Sequence, residues 1–221
     1  MKIKGAIFDM DGTAVDSLHF WDYLWKSISD TFLSGQKFLP SEDLNKKIRT
    51  TIFTNSMALL NENYHFLPSN DDFVKYAENL IVSFYKTVKP KNGVIELLQF
   101  LKSKSVKIYL ATATDTKLLK YALESCNLTE YFDGIFSCAD MGVSKDKPDI
   151  YYKVLDAMHL TPSEVCVFED ALVAIRTAKN AGFNTVGIFD KHNFNQEQVK
   201  LYSDYYVEDG KPLSDAIKIF E

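Results

Sequence analysis

Short runs of apolar, mostly β-branched residues recur along the chain. Between them, apolar residues return every three or four positions. The runs predict strands at Ile3–Phe8, Val106–Ala111, Ile135–Cys138, Val165–Phe168, Thr185–Phe189 and, more faintly, Tyr205–Val207. A fully apolar run such as Val165-Cys166-Val167-Phe168 suits a strand covered on both faces, as in a parallel sheet. The intervening stretches carry helix signals. In Gly93–Lys102, Val94, Leu97, Leu98 and Leu101 form one apolar stripe. Asp115 reads as the N-cap of a helix over 116–125, and Ala171–Asn180 stops at Ala181-Gly182, a C-cap pair. Strand–helix alternation of this kind predicts an α/β fold, a doubly wound (Rossmann-like) parallel sheet.

One region breaks the alternation. From Ser17 to Lys86 no strand run stands out, and the pattern reads as three or four amphipathic helices over about 17–33, 42–62 and 71–87. Leu33-Ser34-Gly35, Phe38-Leu39-Pro40-Ser41 and Leu67-Pro68-Ser69-Asn70 punctuate them. The chain thus predicts a core of residues 1–16 and 89–221 with an all-helical insertion at 17–88, joined by linkers near 14–18 and 86–92. The aromatic residues of the insertion (Phe20, Trp21, Tyr23, Trp25, Phe32, Phe38) are expected to form mostly its own core.

Composition narrows the function classes. At 221 residues and 46% hydrophobic, the chain is ample for a packed core. With 25 Lys+Arg against 30 Asp+Glu, the net charge is −5, and no basic run marks a nucleic-acid binder. No apolar run approaches the ~18–20 residues of a membrane span. The N-terminus reaches Asp9 before a signal-peptide apolar region could form. Three cysteines form an odd set without a C-x-x-C pair, and Cys138 and Cys166 sit in apolar runs that suit free core thiols, so a reducing, cytoplasmic compartment is expected, as is a monomer.

The candidate chemistry sits where strands end. In open α/β sheets, ligands bind beyond the carboxyl ends of the strands. Asp9-Met10-Asp11-Gly12-Thr13 follows the first run, with two carboxylates two residues apart and a glycine permitting a tight turn. A calcium loop is excluded, because position 20 is Phe where a late acidic ligand is needed. Thr112-Ala113-Thr114-Asp115 offers a hydroxyl and backbone N–H groups opening a helix, which suits an anion. Glu169-Asp170 closes another run, and Lys145-Asp146-Lys147-Pro148-Asp149-Ile150-Tyr151 lies between.

These four segments, in this order, resemble the haloacid-dehalogenase-like superfamily of phosphotransferases. The match is to the branch of β-phosphoglucomutase-like and phosphoglycolate-phosphatase-like proteins. It extends to Ala174-Ile175-x-x-Ala178-x-x-Ala181-Gly182 and Val186-Gly187-Ile188, and a helical cap after the first signature is that branch's layout. The resemblance implies that Asp9 is a nucleophile forming an aspartyl-phosphate. It implies that Asp11 is the general acid and base, with a pKa raised by neighbouring carboxylates. Thr112 and the N–H of Ala113 would hold phosphoryl oxygens, and Lys145 would offset the charge on Asp9 and the phosphoryl group. Four clustered acids call for a cation, and Mg²⁺ is the expected cofactor, on the Asp9 and Asp170 carboxylates and the Asp11 carbonyl. Glu169 would contribute directly or from behind the ligands, with Gly12 and Thr13 in support.

The chain departs from the family at two points. Ala171 stands where many relatives carry Ser or Thr, and Lys145-Asp146-Lys147-Pro148 replaces the commoner Lys-Pro-x-Pro. Both lysines are candidates; the spacing to Pro148-Asp149 favours Lys145, so Lys145→Ala is expected to cost orders of magnitude in turnover and Lys147→Ala little. The cap should select the substrate, with His19 and Arg49 as candidate contacts. The Gly-x-x-Arg-type cap loop of a β-phosphoglucomutase is not evident around Lys47–Thr50. The expected activity is hydrolysis of a small phosphorylated metabolite; a phosphosugar mutase and a non-catalytic binding protein on the same fold are the alternatives.

Overall fold

A computed structural model describes residues 3–49 and 51–220. The chain divides into two compact units, Met1–Leu18 with Val88–Glu221, and His19–Thr87. In chain order the elements are β1 (Gly5–Phe8), β2 (Val15–Asp16), α1 (Phe20–Phe32), α2 (Glu42–Arg49), α3 (Phe53–Tyr64) and α4 (Asn70–Tyr85). Then come β3 (Lys89–Pro90), α5 (Val94–Ser103), β4 (Lys107–Thr112), α6 (Thr116–Ser125), β5 (Gly134–Ser137) and α7 (Cys138–Met141). The chain finishes with α8 (Asp149–Met158), β6 (Val165–Glu169), α9 (Leu172–Asn180), β7 (Asn184–Ile188), α10 (Gln196–Tyr202) and β8 (Tyr205–Val207).

Six strands form one parallel sheet in the order β5-β4-β1-β6-β7-β8. This is the doubly wound α/β fold that the alternating pattern predicts. β1 lies in the centre; the chain extends the sheet through β4 and β5 on one side, then crosses to β6 on the other. The central strands are buried along their whole length, which explains their unbroken apolar runs. Phe8 and Phe168, paired across β1 and β6, stack with ring centroids 4.2 Å apart. On one face α8 supplies Ile150, Tyr151, Val154 and Met158 to a core shared with Ile7, Ala111, Val165 and Val167. On α5, Val94, Leu97, Leu98 and Leu101 are buried, as the stripe predicts.

The helical unit has its own core. Trp25, Phe38, Phe66 and Phe73 are joined by ring contacts with centroids 4.9–6.1 Å apart to Phe32 and Tyr64. Phe20, Trp25 and Phe38 are buried, while Tyr23 is 42% exposed.

Several boundaries differ from the sequence pattern. The helix expected over 42–62 is two helices, α2 and α3. Ile52 is extended (φ −53°, ψ 136°), and the Ser56 hydroxyl donates to the Ile48 carbonyl at 2.6 Å, closing the break. Consecutive β-branched residues at 50–52 lower helix propensity there, which the apolar periodicity masked. Thr50 lies outside the described residues, as do Met1, Lys2 and Glu221. The first insertion helix starts at Phe20, not residue 17, and the Ser17 hydroxyl donates to Asp11 instead of capping it. Cys138 opens α7 instead of ending a strand: the Ser137 hydroxyl accepts from the Asp140 amide and caps the helix. Both expected linkers contain a strand, β2 and β3, and these pair antiparallel at Val15–Pro90 and Asp16–Lys89.

Candidate active site

The carboxyl ends of β1, β4 and β6, neighbours at the middle of the sheet, gather the acidic and hydroxyl residues. Asp9 follows β1 directly, and its amide donates to the Phe168 carbonyl at 3.0 Å, locking it beside the end of β6. The turn beyond it is tight. The amides of Ala14 and Val15 return to the Met10 carbonyl, and the Gly12 amide donates to the Val15 carbonyl at 2.9 Å. Gly12 has φ +82°, and a Cβ there would come within 2.6 Å of Asp170 Oδ2. Glycine is therefore needed both for the backbone and for the approach of the Asp170 carboxylate.

Oxygens of Asp9, Glu169 and Asp170, one from each, lie within 4.8 Å of one another, and all three residues are buried. The ammonium of Lys145 bridges two of them, at 2.5 Å from Asp9 Oδ1 and 2.7 Å from Glu169 Oε2. The other Glu169 oxygen accepts the amides of Asp170 and Ala171 at 3.2 and 3.1 Å. Asp170 Oδ1 accepts from the Thr13 hydroxyl at 3.0 Å, and Oδ2 accepts from Asn193 Nδ2 at 2.6 Å. Asp11 accepts from the Ser17 hydroxyl at 2.6 Å and the Thr114 hydroxyl at 2.7 Å. Thr112 is buried at the end of β4, its hydroxyl accepting the Thr114 amide at 3.1 Å, while the following Ala113 is exposed. Asp115 caps α6 through the Leu118 amide at 3.0 Å.

The electrostatics follow from crowding. Burial, then the charge of Glu169, pushes the Asp9 carboxyl up to about 8, against the pull of Lys145. Burial and the neighbouring Glu169 and Asp9 likewise push Asp170 far above the carboxylate range. Burial works against the charge on Lys145, but Asp9 and Glu169 outweigh it and keep the ammonium protonated. Three buried carboxyl groups facing one ammonium can all be ionised together only if a further positive charge joins them. An all-oxygen donor set of this kind fits a hard divalent cation.

The sequence-predicted residues thus separate into two groups. Asp9, Asp11, Gly12, Thr13, Thr112, Ala113, Glu169 and Asp170 belong to the strand ends of the core unit, and Lys145 reaches Asp9 and Glu169 from the loop between α7 and α8. Lys147 is exposed, with its amide on the Ser144 carbonyl. His19 and Arg49 belong to the helical unit. There the His19 ring lies 4.7 Å from that of Phe84, and the Arg49 guanidinium sits over the Trp21 ring and bonds Asn45 at 2.9 Å. Sequence reasoning missed the work of Ser17 and Thr114, and missed Asn193, Lys91 and Asp190 altogether. Asp190, just past β7, repeats the pattern of an acid after an apolar run, a signal that was there to be read.

The family model for haloacid dehalogenase-like hydrolases matches residues 3–182. The chain belongs to that family and is an enzyme of its hydrolase class, a family that generally uses a divalent metal. It is 29% identical over 185 residues to a phosphorylated carbohydrates phosphatase of Thermotoga maritima, covering 83% of this chain and 84% of the relative. Among solved structures, it is similar to a Thermotoga maritima protein for which β-phosphoglucomutase activity is suggested. There the TM-score is 0.79, the identity 27%, and the match covers 99% and 100% of the two chains. CbbY of Rhodobacter sphaeroides, solved with phosphate, shares the fold at TM-score 0.76 and 19% identity, over 97% and 96% of the chains. Among the described residues no helix is long and apolar enough to cross a membrane.

Proposed function

We propose that the protein is a Mg²⁺-dependent phosphatase that hydrolyses a small phosphorylated metabolite, of the sugar-phosphate class, through an aspartyl-phosphate on Asp9. The observation that carries this reading is the Asp9 carboxylate. It lies at the end of the central strand, held by Lys145 and clustered with Asp170 and Glu169. The Thermotoga relative named for phosphorylated carbohydrates supports the substrate class.

The Asp9 and Asp170 carboxylates and the Asp11 main-chain carbonyl would hold the ion. Both Glu169 oxygens are already engaged by Lys145 and two amides, which supports a role for it behind the ligands. A bound divalent ion neutralises charge on phosphoryl oxygens and so eases their approach to a carboxylate. The chain's own residues then carry two displacements. An Asp9 oxygen attacks phosphorus as the ester P–O bond breaks, and Asp11 gives its proton to the leaving oxygen. The Ser17 and Thr114 hydroxyls hold the Asp11 carboxyl in place. In the second step Asp11 takes a proton from water, the water oxygen attacks phosphorus, and the bond to Asp9 breaks, freeing inorganic phosphate. Lys145, Thr112 and the Ala113 amide stabilise the transferring group.

The core (residues 1–16 and 89–221) performs the chemistry in this reading, and the helical insertion (17–88) sets substrate choice. Cys126, Cys138 and Cys166 are buried free thiols, which supports a reducing, cytoplasmic setting. The similarity to the suggested β-phosphoglucomutase favours one second reading, a phosphosugar mutase using the same aspartyl-phosphate. A panel of sugar phosphates separates the two: a phosphatase releases inorganic phosphate, and a mutase isomerises without release. Hydrolysis of p-nitrophenyl phosphate that stops with EDTA, returns with Mg²⁺ and is lost in Asp9→Asn is the expected result. Activity that survives in Asp9→Asn contradicts the proposal.

A further inference from the structure

The loop after β7 reaches back to Asp170 from a part of the chain that carries none of the family signatures. Asn193 Nδ2 donates to both the Asp170 carbonyl, at 3.0 Å, and the Asp170 carboxylate, at 2.6 Å. The orientation of that amide is fixed, because Asn193 Oδ1 accepts the Phe194 amide at 2.7 Å. A flipped amide would turn an oxygen toward the carboxylate and lose the Phe194 bond.

The turn that presents Asn193 is itself anchored. The Asn193 amide donates to the Asp190 carbonyl at 3.0 Å, and the His192 amide to Asp190 Oδ1 at 2.8 Å. Asp190 is buried, and its other oxygen is paired with Lys91. Lys91 follows β3 directly, and its amide donates to the Ala14 carbonyl at 3.0 Å. A continuous chain of contacts therefore runs from Lys91 through Asp190 and Asn193 to Asp170.

We propose that Asn193 is a positioning residue for Asp170, held in its donating geometry by the Lys91–Asp190 ion pair. The inference rests on the reading of Asp170 as a metal ligand. The Thr13 hydroxyl holds one carboxylate oxygen, Asn193 holds the other, and Gly12 leaves room for it. Two neutral donors from different loops thus fix the carboxylate plane, and each oxygen retains lone-pair capacity for a cation. Partners of this kind orient a ligand before the ion arrives.

The test is Mn²⁺ affinity of the purified, EDTA-stripped protein, measured by calorimetry and by the paramagnetic signal of free Mn²⁺. Asn193→Ala is expected to weaken Mn²⁺ binding about 10- to 100-fold. At saturating metal its turnover of p-nitrophenyl phosphate should return to near the parent value, a split that general unfolding would not give. Asn193→Ser, which keeps a shorter donor, should lie between, and serves if the alanine variant does not fold. Lys91→Met should weaken Mn²⁺ in the same direction. Asp170→Asn is the control for the underlying metal reading. If it loses Mn²⁺ while Asn193→Ala and Asn193→Ser bind within threefold of the parent, the positioning role is overturned and the metal reading stands. A parent protein that binds no Mn²⁺ overturns both.

Discussion

Replacing Lys145 by Met keeps the aliphatic stem and removes the ammonium that bridges Asp9 and Glu169. Its side chain is only 12% exposed, and those of its partners 9% and 2%, so water cannot take over its role. Two charge-assisted hydrogen bonds, at 2.5 and 2.7 Å, are lost. At about 1.5–3 kcal/mol each, their removal costs about 3–6 kcal/mol where the charge remains. Carried into the transition state at about 1.4 kcal/mol per factor of ten, this is a fall of about 10²–10⁴ in kcat/KM. The free protein should melt lower too, because breaking a buried pair strands a charge at about 3–5 kcal/mol. Added Mg²⁺ should recover part of that loss. The assay is p-nitrophenyl phosphate hydrolysis at saturating Mg²⁺, with Lys147→Met as the matched control. Lys147 is exposed, and its variant should stay within about twofold of the parent, as surface changes usually do. A Lys145→Met enzyme within tenfold of the parent, or a larger loss in Lys147→Met, refutes the assignment.

Two further outcomes follow from the same geometry and from a remote pair. In Gly12→Ala, the new Cβ would meet Asp170 Oδ2 at 2.6 Å on a backbone with φ +82°. Metal affinity should fall at least about tenfold and stability by about 1–2 kcal/mol, read by Mn²⁺ titration and urea unfolding; unchanged titration contradicts the close approach. Far from the site, hydrogen bonds from Lys4 and from the amide and hydroxyl of Thr161 hold the Glu164 carboxyl at about 2, below its usual 4.5. A depressed carboxyl contributes stability above its unfolded pKa and loses it as pH falls toward the folded one. The parent should therefore melt higher than Glu164→Gln at neutral pH, with the gap closing between pH 4.5 and about 2; a gap independent of pH contradicts the pairing.

The sheet was legible because β1 and β6 are buried on both faces, so their sequences are nearly unbroken apolar runs. The acids and hydroxyls at the strand ends were legible for a related reason: a parallel sheet brings the carboxyl ends of β1, β4 and β6 to one edge. Other features leave no such trace. β2 and β3 have two residues each, too few for periodicity, and their pairing is tertiary. The split between α2 and α3 depends on a local run of β-branched residues inside a convincing apolar pattern. Asn193 stands 23 positions beyond Asp170, and Lys91 stands 99 before Asp190. Only the folded chain brings each of these pairs together, so polar residues that look like ordinary loop positions carry the contacts.

The reading of Asp9 as a nucleophile is tested most directly at phosphorus itself. The substrate would be a phosphorothioate ester made chiral with oxygen isotopes and hydrolysed in isotopically labelled water. Two in-line displacements, the first onto Asp9 and the second by water, predict net retention of configuration in the product. Inversion would mean that water attacks the ester in a single step, and would contradict the account.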